Sequence, residues 1–329
     1  MRQKIIIGLS VALLLTAVFL IARDLFHPQP AITATQCCGD DLTAVKTIDS
    51  TLLGYKKSKV AESGFVNLTG LTVTHDGKIL VCGNKQVAVF GPDFKTIIVF
   101  STDSVAECIA ASGNDIYLGM GSRIAKYDFS GKKVSTWKSL NRRGLITSLS
   151  VSGKNLFAAD AVNKIILEFS PEGNIIRQIG RKDSASNTPG FILPSPYFDI
   201  AFDSFNDLWV ANTGRLRIEN YSSAGQYQSS WGTSSFSNEG FGGCCNPVHI
   251  TILPDGKFVT YEKGIDKIKV FDPTGNFLCF VGGAGSFKGN ADFQLGNINL
   301  VKDIASGVDG SVYVLDAYNQ IDVFIKKDL

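Results

Sequence analysis

Between Phe65 and Lys327 the chain repeats one pattern six times, and this repeat limits the possible folds more than any other feature. The copies read GLTVTHDGKILVCGNKQVAVF from Gly70, CIAASGNDIYLGMGSRIAKYDF from Cys108 and SLSVSGKNLFAADAVNKIILEF from Ser148. They continue with DIAFDSFNDLWVANTGRLRIENY from Asp199, HITILPDGKFVTYEKGIDKIKVF from His249 and DIASGVDGSVYVLDAYNQIDVF from Asp303. Each holds an alternating apolar segment, a turn, a second such segment, a polar hinge and a third strand closing on Phe or Tyr. A repeat of this length with period-2 alternation predicts one four-stranded sheet per copy, the copies arranged around an axis. The expected fold class is all-β, a six-bladed β-propeller.

The turns have a steric cause. The first hairpin of each copy falls at Gly77, Gly113, Gly153, Asn206, Gly256 and Gly310, residues that accept the positive φ of tight turns. A second turn follows at Gly131, Gly173, Gly225 and Gly275, with Pro92-Asp93 at that place in the first copy. By this spacing the sixth copy reaches its second turn at about Leu329, so its outer strand has to come from elsewhere. Residues 42–57 (LTAVKTIDSTLLGYKK) are the expected source, because pairing them with the last copy closes the ring and removes an open sheet edge. The long segments 181–196, 232–247 and 282–300 all lie between an outer strand and the next inner one. They therefore gather on one face, the expected ligand face.

The segments LPDGKFVTYEKGIDKIKVFDPTGNFL (253–278) and FSPEGNIIRQIG (169–180) resemble the NHL-repeat family of six-bladed propellers, and the resemblance extends over residues 42–327. It implies a fold rather than an activity, since members include scaffolds, extracytoplasmic sensor domains and a few metal-dependent lyases and lactonases. The enzymes rest on several axial histidines, or on an axial Glu/Asn/Asp set around a divalent ion. This chain offers one axial histidine, and its carboxylates do not follow that motif.

Residues 1–24 are expected to form an uncleaved signal-anchor. Ile5–Ala22 is an apolar run of 18 residues without a charge, long enough to span a bilayer. Arg2 and Lys4 before it place the N-terminus in the cytoplasm and the propeller on the periplasmic side of the cell membrane. Residues 25–41 then read as a linker carrying a cysteine pair, and 42–329 as the propeller. The formal net charge is only +2, with 32 basic and 30 acidic residues interspersed, which argues against a nucleic-acid partner.

The seven cysteines are the one unusual chemical signal. Cys82 and Cys279 lie in apolar strands and read as small buried hydrophobes. Cys37-Cys38 and Cys244-Cys245 are vicinal pairs in polar, Gly-rich loops. Adjacent residues stand about 3.8 Å apart at Cα, below the usual disulfide range, so each pair is strained as its own bridge. Three readings stay open: a cross-link between the pairs, a thiolate site for a soft metal such as copper, zinc or iron, or ordinary loop residues. The residues opening the inner strands are Gly70, Cys108, Ser148, Asp199, His249 and Asp303, and they are expected to ring the channel mouth. The candidate metal residues are thus Cys244, Cys245, His249, Asp199, Asp303 and Cys108, with Cys37 and Cys38. The competing reading of Asp199 and Asp303 is that they hydrogen-bond neighbouring amides.

No G-x-S-x-G elbow, H-E-x-x-H or phosphate-cradling loop is present. The leading expectation is therefore a membrane-tethered binding or scaffolding propeller. Aromatic residues of the long loops (Phe191, Tyr197, Phe236, Phe241, Phe287, Phe293) are its expected surface for a protein or glycan. A metal or redox protein is the alternative, and a lyase or lactonase the third.

Overall fold

The computed structural model describes residues 46–138, 143–287 and 299–327. It is a ring of six four-stranded antiparallel sheets. Strand β1 (Tyr55–Glu62) comes first in the chain and belongs to the last blade. Blade 1 holds β2 (Leu68–Val73), β3 (Ile79–Gly83), β4 (Gln86–Phe90) and β5 (Thr96–Ser101). Blade 2 holds β6 (Cys108–Ser112), β7 (Asp115–Met120), β8 (Arg123–Asp128) and β9 (Lys133–Lys138). In blade 3 these are β10 (Ile146–Ser152), β11 (Asn155–Asp160), β12 (Ile165–Phe169) and β13 (Ile175–Ile179). Blade 4 has β14 (Ile200–Phe202), β15 (Leu208–Asn212), β16 (Arg217–Tyr221) and β17 (Tyr227–Trp231). Blade 5 has β18 (His249–Ile252), β19 (Phe258–Glu262), β20 (Lys267–Phe271) and β21 (Phe277–Gly282). Blade 6 is β22 (Val301–Ser306), β23 (Val312–Asp316) and β24 (Gln320–Lys326), completed by β1. The inner strands β2, β6, β10, β14, β18 and β22 each touch the next around the axis, and β22 meets β2.

The expected first-turn residues all take positive φ, from 58° at Gly113 to 81° at Gly256, and Asn206 joins them at 62°. At the second turns positive φ is combined with a packing demand. A Cβ on Gly173 would lie 2.3 Å from Trp137 of the preceding blade, and one on Gly275 would lie 2.7 Å from Trp231. These glycines let an outer-strand indole of one blade lie against the turn of the next.

Middle strands such as β3, β12, β15 and β19 are buried along their whole length, whereas outer strands such as β5 and β17 are half exposed. Both faces of a middle strand meet a neighbouring blade, which is why a segment such as ILVCG is continuously apolar and IILEF is apolar but for the ion-paired Glu168. The core is a series of apolar layers between consecutive blades; one joins Ile79, Val81 and Leu71 of blade 1 to Leu315 and Ile321 of blade 6.

The ring closes slightly later in the chain than the apolar pattern predicts. Tyr55 pairs with Lys326 and Glu62 with Gln320, so only Tyr55–Lys57 of the expected stretch 42–57 lies in the closing strand. Ser50–Leu52 form a single 3-10 turn capped by the Asp49 side chain. The closing strand YKKSKVAE is mostly exposed and carries little apolar signal. Backbone pairing, Tyr55 packed in the core and the Lys57–Asp322 ion pair at 2.9 Å hold it in place. Among the described residues no helix is long and apolar enough to cross a membrane, and the apolar run 5–22 lies outside them.

Candidate functional site

The six predicted mouth positions are structurally equivalent. Gly70 pairs with Cys82, Cys108 with Gly119, Ser148 with Ala159, His249 with Tyr261 and Asp303 with Leu315. The Asp199 carbonyl accepts from Ala211 N–H in the same register, at 3.0 Å. All six line a central cavity of about 670 Å³ or sit on strands that do.

Three of these side chains converge. One ligand atom from each of Asp199, His249 and Asp303 lies within 4.8 Å of the others, and this is the one such group among the described residues. His249 Nδ1 stands 3.6 Å from Asp199 Oδ2 and 3.7 Å from Asp303 Oδ1, too far for direct hydrogen bonds. Two ligands on one transition ion with bonds of about 2.0–2.2 Å stand roughly 3–3.5 Å apart, so a slight contraction would seat an ion between them.

Backbone amides orient the carboxylates. Asp199 Oδ1 accepts from Ser148 Oγ at 2.6 Å and Ile200 N–H at 2.9 Å, while Oδ2 accepts from Ile250 N–H of blade 5 at 2.9 Å. Asp303 Oδ2 accepts from Leu71 N–H of blade 1 and Oδ1 from Ile304 N–H, both at 2.8 Å. The expected hydrogen bonds to neighbouring amides are therefore present, and they join blade 3 to 4, 4 to 5 and 6 to 1. Asp199 Oδ2 and both Asp303 oxygens, with one donor each, keep acceptor capacity, as in metal sites where ligating carboxylates are held by outer partners.

His249 is boxed by aromatic rings. Tyr261 stacks on it at 6.2 Å with a 20° interplanar angle, and Tyr197 meets it edge-on at 6.2 Å and 89°. Tyr261 donates to Asp266 at 2.6 Å, and Asn299 donates to the Tyr197 hydroxyl at 2.8 Å. Burial opposes charge on His249, but the Asp199 carboxylate beside it and the Asp303 charge outweigh this and raise its pKa. Burial pushes Asp303 up to about 7, with His249 opposing the shift and Asp199 adding to it. The cluster thus concentrates negative charge that a cation would relieve.

The cysteines are placed differently. Cys108 is buried, its thiol toward the Ile146 carbonyl at 3.6 Å, and burial followed by the nearby Cys82 holds its pKa well above the ordinary thiol value. It is walled in against Gly70 and Gly119 as a protonated thiol. Cys82 is likewise fully buried, while Cys279 is half-buried beside Gly54 on the outer strand of blade 5. Cys244 and Cys245 are free thiols with sulfurs 3.4 Å apart, outside the Asp199–His249–Asp303 group. Their neighbours are Lys263 and Ser195, and the Lys263 ammonium lies 4.5 Å from the Tyr197 ring centroid. Cys37 and Cys38 lie outside the described residues.

Of the loop aromatics, Phe191, Phe241 and Phe287 are buried and plug the ends of the blades. Phe236 is exposed, Tyr197 walls the channel and Phe293 lies outside the described residues. Sequence reading missed Tyr261, Lys263, Ser195 and Asn299. Tyr261 could have been found by counting forward from His249 through the hairpin turn at Gly256; the others sit in irregular segments or beyond strand ends, where no periodicity marks them.

No protein-family model matches the chain, and no curated protein matches it in sequence. Solved structures do match in fold. A streptogramin B lyase superposes with a TM-score of 0.57 at 15% identity, covering 83% of this chain and 97% of that one. Virginiamycin B lyase from Staphylococcus aureus gives 0.56 at 13%, covering 83% and 100%. The WD40 β-propeller domain of Doa1 gives 0.56 at 12%, covering 84% and 98%. At these identities the likeness is one of architecture: the chain is a propeller built like lyases and like WD40 domains alike.

Proposed function

We propose that this is a binding propeller, tethered by residues 5–22 and working outside the cytoplasmic membrane, whose channel mouth takes up a divalent cation or a ligand carrying one. The observation that carries this reading is the convergence of Asp199, His249 and Asp303 in a central cavity of about 670 Å³. The NHL-like repeat pattern and the long loops around the same mouth support it. The donor set is two carboxylates and one imidazole without a thiolate. Of the copper, zinc or iron expected for a thiolate site, this donor set keeps zinc and ferrous iron and adds manganese.

Calorimetric titration of chelator-treated protein with Zn²⁺ and with Mn²⁺ tests the reading. The expected result is one equivalent per chain, lost in His249→Ala and in Asp199→Asn/Asp303→Asn. Binding that survives in both variants, or less than a tenth of an equivalent in the wild type, overturns it. For the tether, protease should digest the propeller on spheroplasts while sparing a fragment containing residues 5–22. A propeller protected in intact spheroplasts reverses the topology.

A lyase reading has one supporting observation, the single histidine held between two carboxylates in a large cavity. It differs in requiring product formation from a cyclic ester or lactone substrate, abolished by His249→Ala.

A further inference from the structure

The loop between blades 4 and 5 holds a second chemical site, independent of the channel cluster. Its backbone is clamped on both sides of the cysteine pair. Upstream, Gly242 N–H donates to Glu262 Oε2 at 2.7 Å, and Glu262 is paired with the buried Lys269, whose ammonium also donates to the Gly240 carbonyl at 2.7 Å. Downstream, the Asn246 side chain donates to the Gly242 carbonyl at 2.6 Å and the Lys263 carbonyl at 3.1 Å, and accepts from Lys263 N–H at 2.9 Å. The two thiols are therefore presented in a fixed arrangement, with 3.4 Å between the sulfurs.

Their surroundings differ. Cys244 is exposed, while Cys245 is 4% exposed. Lys263 donates to Ser195 at 3.2 Å, and the ammonium and the hydroxyl are the polar groups that act on Cys245. Burial alone would raise the Cys245 pKa, but bonds from Ser195, Lys263 and Cys244 outweigh it and lower it. Cys244 is raised, first by its hydrogen bond to Cys245 and then by burial. Of the two sulfurs, Cys245 is thus the one that ionises more readily. A thiol with an ammonium among its neighbours and a second thiol 3.4 Å away is the arrangement of reactive rather than inert cysteines.

We propose that Cys244–Cys245 is a reversible thiol redox couple in which Cys245 is the nucleophile toward a small hydroperoxide and Cys244 the resolving thiol. In the first step the Cys245 thiolate attacks one peroxide oxygen. The O–O bond breaks, Cys245 becomes a sulfenic acid, and with hydrogen peroxide the other oxygen leaves as hydroxide and takes a proton from solvent to form water. In the second step the Cys244 sulfur attacks Cys245, the S–O bond breaks, and the sulfenic oxygen departs as a second water with the Cys244 proton. Two thiols are oxidised by two electrons and one hydroperoxide is reduced. Burial of Cys245 restricts the oxidant to something small, excluding a bulky protein disulfide. The bridge requires the sulfurs to approach by about 1.4 Å across Cα atoms closer than most disulfides allow. Such a strained bridge is readily reduced again, which suits a switch and not a permanent staple.

The test uses full-length protein, reduced, desalted and exposed to hydrogen peroxide. Wild type should lose two hydrogens by mass, with the bridge mapped to Cys244–Cys245 and reversed by dithiothreitol. Cys244→Ser should stop at a sulfenic acid on Cys245 that dimedone traps. Cys245→Ser and Lys263→Gln should each react at least tenfold more slowly, with unchanged circular dichroism showing that both fold. Equal rates in Cys245→Ser and wild type overturn the proposal. So does a bridge from Cys245 to Cys37 or Cys38, or wild-type oxidation to sulfinic acid without any bridge.

Discussion

The two halves of the channel mouth use one backbone for opposite purposes. In blades 1 to 3 the opening residues are Gly70, Cys108 and Ser148, reached through short connections at 63–67, 102–107 and 139–145. In blades 4 to 6 they are Asp199, His249 and Asp303, reached through the longer segments 180–199, 232–248 and 283–300. On the small side, blades meet by close approach: a Cβ on Gly119 would lie 3.0 Å from Ile146 of blade 3, and one on Gly70 would lie 3.1 Å from the Cys108 Cα of blade 2. On the polar side, carboxylates bridge between blades and the long segments supply Tyr197, the cysteine pair and Asn299 around them. The difference separates two tasks in a repeat fold. Register sets which residues face the axis, and the connections decide whether that position is packed shut or furnished as a site.

The sharpest way to break this contrast is Asp199→Ala. The substitution removes a candidate ligand and leaves the Ile250 amide without its acceptor. We expect Zn²⁺ affinity to fall at least 100-fold and stability to drop by about 2 kcal/mol, the usual cost of an unpaired buried amide. Cys108→Ala, in the equivalent position of the small half, should leave Zn²⁺ affinity unchanged. Calorimetry and urea unfolding compare the two. Loss of affinity in both variants would remove the distinction between the halves.

The polar half should also titrate where the small half does not. Asp303 has its pKa raised to about 7, so between about pH 4 and 7 the folded protein binds its proton more tightly than the unfolded chain does. Its contribution therefore makes stability fall as pH rises through that window. His249 acts in the same direction, because its raised pKa gives stability that is present below pH 6.5 and lost as pH rises through the folded value. In chelator-treated protein, Asp303→Asn should flatten the slope by roughly 1–3 kcal/mol over the window, less than full burial would give because the carboxylate faces the channel. Buried Asp316 and Asp322 are raised as well, by burial, so the difference between variant and wild type is the informative quantity. An unchanged slope would show that Asp303 does not titrate there.

On the small side the opposite manipulation applies. Gly119→Ala would press a methyl group against Cys108 and Ile146. Overpacking of this kind costs about 1–3 kcal/mol. Zn²⁺ affinity should stay within threefold of wild type, since nothing on the polar side moves. A large loss of affinity at preserved stability would mean that the halves are coupled through the ring.

Much of this contrast was legible in the sequence. Hairpin turns need residues that tolerate positive φ, so Gly77 to Gly310 and Asn206 mark the register, and register alone brings Asp199, His249 and Asp303 to one level of the axis. The closing strand was harder to place, because an outer strand is solvated on one side and YKKSKVAE shows almost no alternation. Loop conformation was not legible at all. Nothing periodic tells that Phe191 and Phe241 turn inward while Phe236 stays out, or that Lys263, just past the end of β19, reaches Ser195 and acts on Cys245. Those contacts depend on irregular backbone fixed by Asn246, Glu262 and Lys269.

Ser148 lies on the border between the halves, and it should produce the smallest effect. Its hydroxyl belongs to the small side by position but donates to Asp199 Oδ1 at 2.6 Å. In Ser148→Ala that oxygen keeps the Ile200 amide and Oδ2 keeps the Ile250 amide, so the carboxylate remains oriented by two of its three donors. A channel water can replace the hydroxyl, which limits the stability loss to about 1 kcal/mol or less. Loss of an outer hydrogen bond to a ligand weakens metal binding by about tenfold, so Zn²⁺ affinity should decline measurably yet far less than in Asp199→Ala. A 100-fold loss in Ser148→Ala would move the border and make blade 3 part of the site. No change in affinity, with Asp199→Ala behaving as expected, would show that the two backbone amides alone hold the carboxylate in place.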